Sequence, residues 1–555
     1  MPSTADIKLD TPSFKGTITF NTGLFIDGKW VDPVQPDSND VINPSTGKPI
    51  AKCALGSKAD VDIAVKAAYK AYKTSWGLKA PGHVRGKYIL KLADLLERDA
   101  DIFAALESIN VGKPYSVSRN GDVAGSIRCI RYFGGWADKI EGKTIEIDDS
   151  RFAYTRHEPF GVVGQIIPWN FPLLMLAWKV GPALATGNCI VLKPSEMTPL
   201  SALKFCDLVT EAGFPPGVVN IINGYGTTVG AAIAEHMDIG KVAFTGSTLV
   251  GRKVMEAAAR TNLKVVTLEL GGKSPSIVFD DCNLEETIKW AGSAMYINMG
   301  AWQPLLFMAL DSLRRSMLTN PASSFSQVNR ACTSSYLRAP APLFPSHPGP
   351  PLIGFYSAGT RLFVQEGVYD EFVEKYTAMV KGLAGATGDP FAKTTQHGPQ
   401  VSQSQFDRVM DFIASGKSEG AKVSTGGIRH GTEGYFIEPT VFTDVQPEMK
   451  IAKEEIFGPV VSIMKFKDEA DVIEKANDTV YGLACYVYTE NVKVALRVVH
   501  ALEAGSAFVN TTQMTDASVA FGGFKQSGIG REHGEYALNM YTQVKGVHVN
   551  LSMKV

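Results

Sequence analysis

Residues 241–275, KVAFTGSTLVGRKVMEAAARTNLKVVTLELGGKSP, constrain the fold more than any other stretch of the chain. A short apolar run, Val242 to Thr245, drops into Gly246-Ser247-Thr248. A helical pattern follows, with Val250, Val254, Met255 and Ala258 on one face, and a second strand, Lys264 to Leu270, stops at Gly271-Gly272. Parallel strands need a crossover of this length, so the stretch reads as one βαβ unit. Ser247 is placed as an N-cap. Gly246 and Gly251 either let the backbone approach a phosphate at the helix N-terminus or serve a tight turn and close helix–sheet packing. Glu269 stands in an otherwise apolar run, where burial would raise its pKa towards that of a useful base. Taken alone, a salt-bridged structural acid is the plainer reading of it.

The same rhythm extends upstream. Strands are readable at Gly161–Ile167, Cys189–Lys193, Val218–Ile222, Val242–Thr245 and Lys264–Leu270, with helical patterns between neighbours. Polar groups gather at their C-terminal ends: Trp169-Asn170, Lys193 with Glu196, Gly224 with Gly226, Gly246-Ser247, and Glu269. Ligands of open parallel sheets bind outside the carboxyl ends of the strands, so five loops are expected to face one crevice. Ahead of this region, residues 24–50 read as a hairpin turning at Asp27-Gly28, and Ala59 to about Leu106 reads as helical. A β run at 143–156 reads as an exposed arm that the last β run, Tyr541 to Leu551, could join. After Arg361 a second α/β region carries Glu454-Glu455-Ile456-Phe457-Gly458-Pro459 and the glycine-rich loop from Phe521 to Gly528.

At 555 residues the chain can bury two sizeable cores. Its formal net charge of -1 gives no electrostatic reason to expect nucleic acid or an anionic membrane as partner. The uncharged run Pro159 to Trp178 is broken by Pro168, Asn170 and Pro172, which argues against a membrane span. No secretory or transit signal is readable in the first residues, and seven Cys without a CxxC pair read as reduced thiols, so a cytoplasmic location is expected. No HExxH, EF-hand loop or Cys/His cluster points to a metal. Gly416-Lys417-Ser418-Glu419-Gly420 matches the nucleophile-elbow pattern but is expected in a polar loop, without the strand that elbow needs.

Together these motifs resemble the NAD(P)-dependent aldehyde dehydrogenase superfamily, and most of all its broad-specificity fungal branch. The resemblance rests on Ile167-Pro168-Trp169-Asn170-Phe171-Pro172, Lys193-Pro194-Ser195-Glu196, the Gly246–Gly251 turn, Leu268-Glu269-Leu270-Gly271-Gly272 and Glu454–Pro459. It implies an α/β fold: an open Rossmann-like parallel sheet for the cofactor (1–140 and 160–270), a second α/β catalytic domain (271–530), and a small β arm (141–159 and 535–555) for a homodimer or homotetramer. It also implies a small aldehyde as substrate, attacked by a Cys thiolate. Asn170 would stabilise the oxyanion, and Glu269 would activate the water that releases the acid. Ile167, Trp169, Gly226, Gly246, Ser247 and Gly251 would shape the cofactor site. Lys193 and Glu196 would hold the adenosine ribose and favour NAD over NADP, and Glu455, beside Phe457, would hold the nicotinamide ribose.

One departure is serious. The family's nucleophile lies in Asn-x-Gly-Gln-x-Cys-x-Ala-Gly-x-Arg. Here Asn298-Met299-Gly300 begins that loop, Ser357-Ala358-Gly359-Thr360-Arg361 ends it, and residues 301–356 stand where the family has three. Read back from Ala358-Gly359, the Cys position holds Tyr356, whose phenol is a poor nucleophile at neutral pH. The inserted stretch has eight Pro, eight Ser, no Lys and no Glu, and is expected to be disordered. Its one thiol, Cys332, is a weak candidate for a substitute nucleophile. The chain as written is therefore expected to be inactive. The alternatives are a catalytically silent dinucleotide-binding protein or a mis-spliced product of an aldehyde dehydrogenase gene.

Overall fold

Five short strands, Val162–Ile166, Cys189–Lys193, Val219–Ile221, Lys241–Thr245 and Val265–Glu269, pair in parallel at the positions the apolar runs predict. The computed structural model describes residues 3–296, 298–299, 359–512 and 515–552. Four of the five strands are buried along their whole length, which is why they read as largely apolar runs instead of alternating ones. The sheet has eight strands among the described residues. Leu24–Ile26 and Lys29–Val31 extend one edge antiparallel, and Gly528–Ile529 caps the other beside Val265–Glu269. That last pairing draws a segment grouped by sequence with the second region onto the first sheet.

The turn at Asp27-Gly28 forms as expected, with both residues at positive φ (52° and 73°), as a two-residue hairpin turn demands. The single hairpin expected over 24–50 is two, however. Ser38–Asn43 and Lys48–Ala54 pair separately. The helical stretch from Ala59 resolves into Lys58–Thr74, Gly82–Arg98 and Ala100–Val111; Gly77 and Pro81 fall in the first break, where a helix cannot continue cheaply, and Asp99 forms the second.

A second sheet, of seven strands among the described residues, runs Lys422–Thr425, Thr440–Thr443, Val460–Phe466, Arg361–Gln365, Pro275–Val278, Ala484–Tyr488 and Ser506–Val509. Pro275–Val278 follows Gly271-Gly272 after two intervening residues, so the chain passes from one sheet to the other beside Glu269. Gly416 to Ser418 is not loop: it closes the helix Gln403–Ser418, where Gly416 packs on Phe442 and Ile451. The expected arm is a three-stranded antiparallel sheet, with Thr542–Asn550 paired to Arg151–Pro159 and that strand paired to Thr144–Asp148. Strands Thr4–Asp10 and Lys15–Asn21 form an N-terminal hairpin that no apolar pattern announces, since most of their residues face solvent.

Candidate active site

The first sheet's strand order reverses at Val162–Ile166: the chain moves outward on one side of it, then returns to the other. Loops leaving the carboxyl ends on either side of such a point diverge and open a crevice. Here that crevice is a cleft of about 510 Å³, closed on the far side by loops of the second sheet.

Four of the five predicted loops line it. Ile167, Trp169 and Asn170 come from the first, Lys193 and Glu196 from the second, Gly246 and Ser247 from the fourth, and Glu269 from the fifth. From the other sheet come Glu455 and Phe457, which the resemblance implied and their own local sequence did not. Gly226 and Gly251 do not line the cleft. Gly226 opens a π-helical turn with open space around it. A Cβ on Gly251 would stand 2.6 Å from Leu270, so its role is close helix–sheet packing. The amphipathic face of Thr248–Arg260 is also rotated from the one predicted. Gly251, Val254, Ala257 and Ala258 are buried, while Val250 and Met255 are exposed. Tyr356, Cys332 and the rest of 301–356 lie outside the described residues.

Glu269 is buried, and its Oε2 accepts a hydrogen bond from the Thr245 hydroxyl at 3.1 Å. Burial lifts its pKa to about 7, against the opposing pull of Lys179. It can therefore be neutral or charged near physiological pH, which general-base work requires. Asn170 is also buried; its Oδ1 has no partner among the described residues, and its backbone carbonyl accepts from Asn298 Nδ2 at 3.3 Å. Of this amide, the Nδ2–H is the group that can donate to an oxyanion at the cleft wall, as an oxyanion hole requires.

Lys193 is buried and donates to the Pro194 carbonyl at 2.8 Å and to Glu196 Oε2 at 3.0 Å. Burial holds its pKa below the ordinary lysine value. Ser247 caps Thr248–Arg260 as predicted, accepting from the Val250 N–H at 3.3 Å. That helix N-terminus therefore faces the cleft with its positive dipole end. Glu455 Oε1 accepts from the Gly272 N–H at 3.0 Å, and burial raises its pKa. Phe457 holds a φ of 61°, costly for a residue with a Cβ. Its ring meets Trp169 edge-on at 5.2 Å, so the two sheets' loops touch across the cleft.

Sequence reasoning missed the residues that hold this second wall. Gln405 Nε2 donates to the Phe457 carbonyl at 2.8 Å, and Arg408 to the Glu455 carbonyl at 2.8 Å. They stand three apart on Gln403–Ser418, a helical spacing, but no local motif marks them. Lys179 and Glu532 were missed too. They form a buried pair at 2.7 Å behind Glu269. A charged residue inside the otherwise apolar helix Pro172–Ala185 is the one signal that points to Lys179.

A family model, described as the aldehyde dehydrogenase family, matches residues 30–302 and 357–547 and leaves out the stretch between. The chain belongs to this family. An aldehyde dehydrogenase of Agaricus bisporus is 52% identical over the whole of both chains, and one of Aspergillus niger is 50% identical over 95% of each. Among solved structures, the NAD+ complex of aldehyde dehydrogenase from Bacillus cereus is 42% identical, covering 96% of this chain and 97% of its own, with a TM-score of 0.85. These likenesses bear out the expected α/β architecture and the fungal branch. Among the described residues, no helix is long and apolar enough to cross a membrane, and no group of His, Cys, Asp and Glu could hold a metal ion.

Proposed function

We propose that the cleft is built for NAD-dependent oxidation of an aldehyde to a carboxylic acid, and that the chain as written lacks the thiol to perform it. The observation that carries this reading is the convergence of Asn170 and Glu269 with Lys193, Glu196 and Glu455 on one cleft at the sheet's switch point.

The residues present fit a dinucleotide. A Cβ at Gly271 would run into Glu455 Oε2, so the glycine is what lets that carboxylate sit against the Gly271-Gly272 backbone at the cleft wall. Lys193 and Glu196 would hold the adenosine ribose. The carboxylate of Glu196 repels a 2′-phosphate and so favours NAD over NADP. The N–H groups after Ser247 would face the diphosphate, and Glu455 would hold the second ribose. NAD, when bound, supplies the hydride acceptor.

The chain's own groups supply the steps on either side of the missing thiol. Asn170 donates to the carbonyl oxygen as it gains charge. Glu269 takes a proton from the water that releases the acid, and Thr245 holds the carboxylate in place for it. Tyr356 stands at the nucleophile position in sequence, and a phenol with a reference pKa near 10 supplies roughly one anion in a thousand at pH 7. The NADH formed from acetaldehyde by the full chain, set beside a variant with residues 301–356 replaced by Gln-Asp-Cys, tests the reading. The cleft residues should make the shortened variant active.

A second reading, a dinucleotide-binding protein without catalysis, is favoured by one observation: every cofactor-facing residue named above lies outside 301–356. A small-molecule aldehyde, a homo-oligomer assembled through the arm and a cytoplasmic location complete the proposal.

A further inference from the structure

One face of the first sheet is polar where it should be apolar. The registers Ala243↔Gln165, Ala243↔Thr267 and Thr245↔Glu269 place Gln165, Lys241, Thr245, Thr267 and Glu269 on the same side of three adjacent parallel strands. The helix Pro172–Ala185 covers that side: Gln165 Nε2 donates to the Lys179 carbonyl at 2.7 Å, and Lys179 Nζ donates to Glu532 Oε1 at 2.7 Å. Parallel sheets are ordinarily sealed by aliphatic side chains on both faces, so buried charges here need a reason.

Lys241 has none in the chemistry described so far. Its side chain is fully buried. Its Nζ donates to Thr267 Oγ1 at 2.7 Å and lies over the Tyr541 ring, 4.9 Å from the centroid. Neither contact supplies a counter-charge. The negative charge that acts on it is Glu532, the carboxylate that Lys179 also binds, and Lys179 itself opposes it. Glu532 Oε2 has no hydrogen-bond partner among the described residues, so this carboxylate has capacity beyond Lys179. Both Lys179 and Glu532 act on Glu269, with opposite signs.

We propose that Lys241 is a positioning residue for the Glu269 carboxylate: held by Thr267 and Tyr541, it shares Glu532 with Lys179 and so sets how much of the Lys179 charge is left to face Glu269. The proposal rests on the reading of Glu269 as the base.

The other titratable groups around Glu532 are quiet near neutrality. Burial drops the pKa of His533 to about 4 and holds the Cys129 thiol and the Tyr541 phenol well above their ordinary values. Arg128 and Asp516 act on Cys129 and His533, one layer further out. Burial brings Lys241 itself to about 7, so its charge changes over the range in which Glu269 titrates.

The test is infrared difference titration of the full chain, following the protonated-carboxyl band that disappears in Glu269→Gln. Lys241→Met should move the Glu269 midpoint upward by about half a unit or more, because a positive charge is lost behind it. Lys241→Arg should restore the midpoint. Should the Met variant not fold, the near-isosteric Thr267→Val, which frees the ammonium, should move the midpoint the same way by less. A near-neutral midpoint indifferent to these changes, or moved equally by Met and Arg, overturns the proposal alone. A parent midpoint below about pH 5, an ordinary carboxylate value, removes the base reading and the proposal with it.

Discussion

Thr245 and Glu269 sit in register on neighbouring parallel strands, and the threonine hydroxyl donates to the carboxylate at 3.1 Å. A carboxyl held near pH 7 by burial has a consequence for folding. The native protein keeps a proton that the unfolded chain, with an ordinary value of 4.5, has already released. The contribution to stability is full below about pH 4.5 and is lost as pH rises through about 7. Glu269→Gln removes the ionisation. It should match the parent at pH 4.5 and exceed it at pH 8, by on the order of 1–3 kcal/mol in denaturant unfolding. A difference independent of pH would show that the carboxyl does not titrate in this window.

The roles proposed for Lys193 and Glu196 predict a cofactor preference. Fluorescence quenching should show NAD binding to the full chain more tightly than NADP, and Glu196→Gln should narrow the gap. Equal affinities in the parent would remove the role given to Glu196.

Gly271→Ala probes the opposite wall. The added methyl would collide with Glu455 Oε2 and turn that carboxylate away from the Gly272 N–H. NAD affinity should fall by about tenfold, roughly 1.4 kcal/mol, with little change in unfolding midpoint. Unchanged affinity would mean that Glu455 does not touch the cofactor.

Asn170→Ala should act on a different step. With residues 301–356 replaced by Gln-Asp-Cys, the pre-steady-state burst of NADH should slow by roughly 10² to 10³, as for one lost oxyanion donor. Glu269→Gln in the same background should keep the burst and slow turnover, by about 10² to 10⁴. An unaltered burst in Asn170→Ala would rule out the oxyanion role.

Much of this site was legible because short buried strands end in loops whose polar residues have no place in a core. Asn170, Lys193, Ser247 and Glu269 each interrupt an apolar run, and each lines the cleft. Glu455 and Phe457 were legible only through resemblance, since their loop enters the cleft from another sheet. Gln405 and Arg408 act through backbone carbonyls some fifty residues away, a relation that no sequence spacing encodes. The face of Thr248–Arg260 was misjudged because hydrophobic period alone favours Met255, whereas Gly251 is the residue that lets the helix sit down on Leu270. The N-terminal hairpin escaped notice for the opposite reason: its exposed strands carry Asp, Lys and Thr with little apolar alternation.

The central claim is that an otherwise complete aldehyde-oxidising cleft is silenced by the sequence between Gly300 and Ser357. The most direct measurement is NADH formation from acetaldehyde by three proteins: the full chain, its Cys332→Ala variant, and the variant with residues 301–356 replaced by Gln-Asp-Cys. The account predicts activity in the shortened protein alone. Robust activity in the full chain that vanishes with Cys332→Ala would contradict it and make the inserted thiol the nucleophile.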